Sequence, residues 1–115
     1  MTTHQDTAVS IAEAVSRFHK DQQGVAPASV QAWLVSDAVL VRCEGVFTPT
    51  EQSLCETTDG RKIVQSARRE LRALTRRQIE AEVARAIGVD VLRSYCDLDV
   101  RYGEQVEVYI LARSL

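Results

Sequence analysis

Several patterns that often identify a protein's function are missing from this chain of 115 residues. Its three cysteines are an odd number without Cys-x-x-Cys spacing, which is typical of reduced thiols rather than of a disulfide framework. Its two histidines, His4 and His19, lack His-x-x-x-His spacing, so no motif indicates a structural zinc site. The five glycines are isolated, which excludes a glycine-rich phosphate loop. We therefore expect no metal and no cofactor, and we interpret His19 as a surface residue near a helix C-terminus.

Long hydrophobic runs are missing as well. The longest uncharged apolar stretches, such as residues 38–41, are far shorter than the roughly 20 residues that a membrane-spanning helix needs. Residues 1–6 also lack the basic and apolar regions of a signal peptide. We expect a cytoplasmic protein without direct membrane insertion, peripheral to the inner face of the membrane if it meets a membrane at all.

The composition is that of an ordinary globular domain, with 45% hydrophobic and 26% charged residues. The chain is long enough for one domain with a core and too short for two. Its net charge of −2 does not suggest a protein dominated by phosphate contacts.

Hydrophobic periodicity predicts the order α-ββ-α-α-ββ in a single α+β domain at residues 8–115, after a flexible N-terminus at residues 1–7. This order implies an antiparallel four-stranded sheet with helices packed on one face. A change of rhythm predicts a kink or a tight joint near Thr75. The predicted helices cover residues 8–22, 49 to about 57, and 61–87; the predicted strands cover residues 30–35, 39–46, 89–100 and 104–113.

The clearest local signal is a strand-to-helix junction at residues 45–54. Thr48 can cap the helix, Pro49 occupies the first helical position, and Glu51 lies three residues after Thr48. This Thr-x-x-Glu spacing is a capping box with a preset proline. We interpret the three residues as structural.

The second face of the predicted sheet also carries large apolar residues. Trp33 and Val35 share one face of the first strand, and the last strand alternates valine and isoleucine with Tyr109 and Leu111. An open sheet with such a surface usually meets a partner, so we expect a homodimer, with Trp33 as a candidate contact. The alternative is that these are scattered exposed hydrophobic residues of the kind found on any protein.

One face of the long helical region is rich in arginine. Four arginines recur at steps of seven and four residues, which places them within a narrow arc: Arg61, Arg68, Arg72 and Arg76. Such a ridge can bind an anion, a ligand phosphate or an acidic partner, although a solvated face is the usual reading. Acidic residues dilute the ridge and no aromatic residues interleave with it, so we do not expect nucleic-acid binding.

The candidates for catalysis are weak. Cys43 and Cys96 lie in predicted strands, where buried inert thiols are common. Asp97 and Asp99 share one strand face but offer too few ligands for a cation. We predict no catalytic residue. An enzyme that uses Cys43 or Asp97 is a third hypothesis, which requires those side chains to line a pocket.

The segment Gly-Val-Phe-Thr-Pro-Thr-Glu at residues 45–51, followed by Leu54, resembles the Gly-Val-Leu-Thr-Pro-x-Glu-x-x-Leu motif of the MpsC family. The resemblance continues through residues 60–64, Arg68 to Leu71, residues 87–89 and Asp97. It covers most of the chain from about residue 11. Residues 24–27 depart from the Gly-x-Gly-Pro turn of that family, because one glycine is missing.

Members of the MpsC family are described as components of a sodium-translocating, membrane-potential-generating system. The resemblance implies a soluble, non-enzymatic accessory or regulatory subunit beside a membrane system that moves ions or inorganic carbon, with a membrane transporter subunit as partner. It transfers no catalytic residues. The alternative is a sensor of small anions or nucleotides that uses the arginine-rich helix face.

Overall fold

In the computed structural model, which describes residues 3–115, three helices pack on one face of a four-stranded sheet. The strands lie in the order β1-β2-β4-β3, and each neighbouring pair is antiparallel. The predicted α+β class and element order are confirmed. The elements are α1 (His4–Gln23), β1 (Ser29–Val35), β2 (Ala38–Glu44), α2 (Pro49–Leu54), α3 (Thr58–Ile87), β3 (Val91–Asp99) and β4 (Glu104–Leu111).

Helix α1 begins earlier than the apolar periodicity indicated. Thr3 caps it by accepting a hydrogen bond from the Asp6 amide at 3.0 Å, and the helix ends at Gln23, followed by Gly24 as its C-cap with a φ of 83°. The first turn is polar, so hydrophobic periodicity gave no sign of it. Residues 1 and 2 lie outside the described residues, and the flexibility of residues 1–7 stays a prediction.

Helix α2 starts at the junction identified in the sequence. The Glu51 amide donates to Thr48 Oγ1 at 3.2 Å, and the Thr48 amide donates to Glu51 Oε1 at 2.9 Å. Both bonds of a capping box are therefore made. The helix ends at Leu54, and the next helix begins at Thr58 and packs closely against it. A Cβ atom on Gly60 would lie 1.7 Å from the Leu54 carbonyl oxygen, so only glycine permits this approach.

Helix α3 is one continuous helix of 30 residues, so the predicted joint between two helices near Thr75 is wrong, and a kink there stays a prediction. The Thr75 hydroxyl donates to the Leu71 carbonyl at 2.8 Å, within its own helix, instead of capping a new one. The apolar rhythm changes because α3 contacts α2, α1 and β3 along its length. At about 45 Å, α3 spans most of the 48 Å long axis of the molecule. Within residues 3–115 no helix has both the length and the hydropathy to cross a bilayer.

The core lies between the sheet and the two long helices. On β4 the inner face carries Tyr109 and Leu111, both fully buried, so Val106, Val108 and Ile110 face outward. Burial of these side chains and their helical partners is the main favourable contribution to folding. The same core contains buried apolar residues of β2, which is the neighbouring strand, and of the two long helices: Val39 and Val41 of β2, Ile11 and Val15 of α1, and Ile79 and Val83 of α3.

Candidate functional site

A cluster of polar side chains is buried inside the apolar core. The inner face of β4 places Gln105 and Glu107 on the same side as Tyr109, and Glu107 is only 1% exposed. Helix α1 contributes His19, which is 7% exposed, and β2 contributes Cys43. The interpretation of His19 as a surface residue is therefore wrong. Its helix face turns toward the sheet, where a carboxylate satisfies the imidazole.

The two oxygens of the Glu107 carboxylate have different partners. Oε2 lies 2.8 Å from Gln105 Nε2, 3.3 Å from His19 Nε2 and 3.8 Å from Cys43 Sγ. Oε1 accepts a hydrogen bond from the Tyr109 hydroxyl and lies 3.5 Å from Arg72 Nη1. Tyr109 and Arg72 thus hold the carboxylate through Oε1, while Oε2 points to the ring nitrogen of His19 and the thiol of Cys43.

The groups around Glu107 compensate the negative charge of its buried carboxylate. Burial by itself raises the pKa of Glu107, but His19, Arg72 and the Tyr109 hydroxyl outweigh it and lower that pKa to about 2. Burial and the Glu107 charge raise the pKa of the Cys43 thiol well above its ordinary value. Burial likewise raises the pKa of Cys96 to about 12. At neutral pH the carboxylate is ionised and both thiols are protonated, so neither thiol is an activated nucleophile.

A small cavity borders the cluster at the C-terminal end of α1. Its volume is about 40 Å³, and His19, Gln105 and Glu107 are among the side chains that line it. One water molecule needs roughly 10–15 Å³, so the space is large enough for a water or an ion. The cluster is therefore buried but not fully packed.

Arg68 is held in a second buried ion pair. Its Nε donates to Glu51 Oε2 and its Nη2 to Glu51 Oε1, each at 2.6 Å, and Nη2 also reaches the Val46 carbonyl at 2.6 Å. Burial alone raises the pKa of Glu51, but bonds from Arg68 and Thr48 prevail and lower it. The carboxylate that caps α2 also fastens α2 to α3, a role that the capping spacing alone did not reveal.

Of the four arginines singled out in the sequence, Arg68, Arg72 and Arg76 line one cleft between α3 and β3, and Arg61 lies apart from them. Arg61 donates to the Cys55 carbonyl at 2.9 Å and to Thr58 Oγ1 at 3.0 Å, at the junction between α2 and α3. Arg72 donates to Ser94 Oγ at 2.8 Å and contacts Glu107. The more exposed Arg76 lies 3.9 Å from Glu80. With Arg68 on Glu51, each of the four has its own partner.

The outer face of the sheet carries a row of large apolar side chains. Trp33 pairs with Leu40, Leu40 pairs with Val108, and Val108 pairs with Tyr95, so the row crosses all four strands. We call these four residues the outer row. Trp33, Leu40 and Tyr95 are 43%, 39% and 57% exposed. No element among residues 3–115 covers this face, since the helices pack on the opposite one.

Sequence reasoning missed the buried cluster because its members come from three separate elements. Residues 19, 43 and 107 lie far apart along the chain, and their spacing matches no ligand motif. The available signal lay in β4, where Glu107 shares a strand face with Tyr109 and Leu111, two residues that are large enough to occupy a core.

Comparison with known proteins agrees with the resemblance seen in the sequence. The family model described as "Na+-translocating membrane potential-generating system (MpsC)" matches residues 3–113. A curated protein of Bacillus subtilis (strain 168), "Uncharacterized protein YbcI", is 27% identical over 105 residues, which cover 91% of this chain and 85% of that protein. No solved structure matches the chain significantly.

Proposed function

The chain belongs to the MpsC family, and we propose that it is a non-enzymatic accessory subunit of a membrane system that moves ions or inorganic carbon. The family description supports the link to a membrane-potential-generating system. The observation that carries an accessory role is the uncovered outer row, because an apolar row across an open sheet is a surface for association. The raised pKa values of the two strand thiols favour a role other than thiolate catalysis.

We further propose that the outer row pairs two copies of the chain. Four strands spaced about 4.8 Å apart, with some seven residues each, present a face of about 19 by 23 Å. This footprint is about half of the ~800 Å² that each partner contributes to a standard interface. We therefore expect a weak homodimer, and the fraction of the chain that is dimeric should rise with protein concentration.

Sedimentation over a range of concentrations tests the homodimer. Trp33→Ser and Tyr95→Ser remove two aromatic side chains from the outer row and should shift the protein to monomer. Leu74→Ser is the matched control, because Leu74 is 73% exposed on α3, away from the sheet. A wild-type protein that stays monomeric at high concentration would overturn the pairing.

The dimer leaves the exposed arginines of α3 free to meet the membrane partner. Arg69 and Arg77 are exposed and lie on the helix face away from the core. A basic helix face of this kind suits an acidic loop of a transporter subunit or an anionic membrane surface. We expect docking by electrostatic attraction, which weakens as salt concentration rises.

The membrane role is tested in cells that lack the gene for this chain. Loss of the protein should lower the sodium-dependent membrane potential measured with a voltage-sensitive dye, and the wild-type chain should restore it. A variant with Arg69→Glu and Arg77→Glu should fail to restore the potential. The control Arg17→Glu, at an exposed position of α1, should restore it. An unchanged potential after deletion, or no integral membrane protein enriched with the purified chain, would contradict the proposal.

A second candidate function is a sensor of small anions, favoured by a cleft between α3 and β3. The cleft has a volume of about 340 Å³ and is lined by Arg69, Arg72 and Arg76 and by Ser94 and Cys96. This volume is at the small end of ligand sites. Since Arg72 already contacts Glu107, the anion would rest on Arg69 and Arg76.

Thermal-shift measurements with bicarbonate, phosphate and nucleotides test the sensor. A ligand that binds only the folded state raises the melting temperature in proportion to its saturation. We expect a shift that Arg76→Gln removes and Arg101→Gln, at the exposed β3–β4 turn, retains. No shift at high ligand concentration would refute this second function.

A further inference from the structure

We propose that His19, Cys43 and Glu107 form a buried binding site for a single zinc ion. The three residues come from α1, β2 and β4, and their ligand atoms all lie within 4.8 Å of one another. Imidazole nitrogen, thiolate sulfur and carboxylate oxygen are the three donor types that zinc takes in proteins. The site is independent of the proposed accessory function.

Two of the three donor spacings are close to those of a tetrahedral ion. Bonds of about 2.0–2.3 Å place the ligand atoms of a tetrahedral zinc site about 3.3–3.6 Å apart. Here Glu107 Oε2 lies 3.3 Å from His19 Nε2 and 3.8 Å from Cys43 Sγ. The third pair, His19 Nε2 and Cys43 Sγ, lies within 4.8 Å, so these two side chains must approach each other by up to about 1 Å when the ion binds.

A fourth ligand is available beside the three. The Gln105 amide nitrogen lies 2.8 Å from Glu107 Oε2 and 3.3 Å from His19 Nε2. Rotation of that amide by half a turn brings its carbonyl oxygen to the same position, where it can bind the ion. Alternatively a water in the adjoining cavity of about 40 Å³ completes the tetrahedron. Either choice gives the four-coordinate geometry that zinc prefers.

The surrounding residues already orient the carboxylate as a zinc ligand requires. The Tyr109 hydroxyl and Arg72 engage Oε1 and leave Oε2 for the ion. Such supporting contacts are a regular part of protein zinc sites. When zinc binds, the Cys43 thiol releases its proton to solvent, and His19 binds through a ring nitrogen that carries no proton. The ion with one thiolate, one carboxylate and one neutral imidazole is electrically neutral, and the remaining positive charge is that of Arg72, whose side chain is 18% exposed.

Metal titration of the purified, chelator-treated chain tests the site. We expect one zinc ion per chain and a rise in melting temperature on addition of zinc. Cobalt at the same site should give a thiolate-to-metal charge-transfer band and the visible bands of a four-coordinate ion. Cys43→Ser and His19→Gln should weaken binding by at least about 100-fold, because loss of a supporting contact alone costs 10–100-fold.

The other cysteines provide matched controls. A variant with Cys55→Ser and Cys96→Ser keeps Cys43 as the sole thiol, and it should retain both zinc affinity and the cobalt charge-transfer band. This variant shows whether Cys43 is the thiolate ligand even if Cys43→Ser does not fold. Circular dichroism without metal checks folding in each case. A wild-type chain that shows no thiolate band, or a band that disappears with Cys55 and Cys96, would overturn the proposal.

Discussion

Replacing Arg68 with methionine should be among the more destabilising single changes in this protein. Met keeps the length of the side chain but removes the charge that pairs with Glu51 and the donor that reaches the Val46 carbonyl. The two charged side chains are only 6% and 16% exposed, so Glu51 would be left without its main partner in a poorly hydrated position. Removing one member of a buried pair costs about 3–5 kcal/mol. We expect about 3 kcal/mol, because Glu51 keeps its bond to the Thr48 amide and some contact with water.

Urea unfolding, followed by far-ultraviolet circular dichroism at a fixed protein concentration, measures this loss. Arg69→Met is the control, since Arg69 is the exposed neighbour on the same helix and its replacement should change stability by no more than ~0.5 kcal/mol. A double-mutant cycle with Glu51→Gln should give a coupling energy of about 2 kcal/mol. If Arg68→Met costs less than about 1 kcal/mol, the pair acts as a surface ion pair and the reasoning fails.

Three further predictions concern the same region and are checked by the same unfolding assay. Thr48→Ala removes the cap of α2 and should cost about 1 kcal/mol, whereas Thr48→Ser should cost little. Gly60→Ala places a Cβ against the Leu54 carbonyl oxygen and should cost more than the cap, since backbone must shift; a neutral result would contradict the close approach. Because the pKa of Glu51 is lowered in the fold from its ordinary value of 4.5, its stabilising contribution should be complete above that pH and decline as pH falls below it. Glu51→Gln should remove this part of the pH dependence, and an unchanged profile would refute the assignment.

Local chemistry was enough to predict the order of elements and the start of α2. Apolar residues at helical or alternating spacing mark each element, and Thr48, Pro49 and Glu51 mark a helix start within four residues of chain. Such signals are local and do not depend on the tertiary fold. The continuity of α3 was missed because its apolar rhythm follows its successive neighbours, which only the packed structure defines.

The buried cluster could not be predicted, because strand alternation does not say which face is inside. On β4 one face carries Val106, Val108 and Ile110, and the other carries Tyr109 and Leu111 with Glu107. A rule based on hydrophobicity alone predicts that the face with Val106, Val108 and Ile110 is the buried one. The second is buried because His19 and Arg72 arrive from distant elements and compensate the carboxylate.

Two of the residues that carry the family resemblance hold elements of the fold together. Glu51 of the Thr-Pro-x-Glu motif and Arg68, which follows it in the resemblance, are bonded directly to each other. Through the Val46 carbonyl, Arg68 also fixes the segment that leads from β2 into α2. A change in this pair is therefore expected to act on stability. Changes in the outer row should alter only the proposed association, and changes in the His19–Cys43–Glu107 cluster should alter only the proposed metal binding. Among the described residues, neither group contacts the Glu51–Arg68 pair through a hydrogen bond or an ion pair.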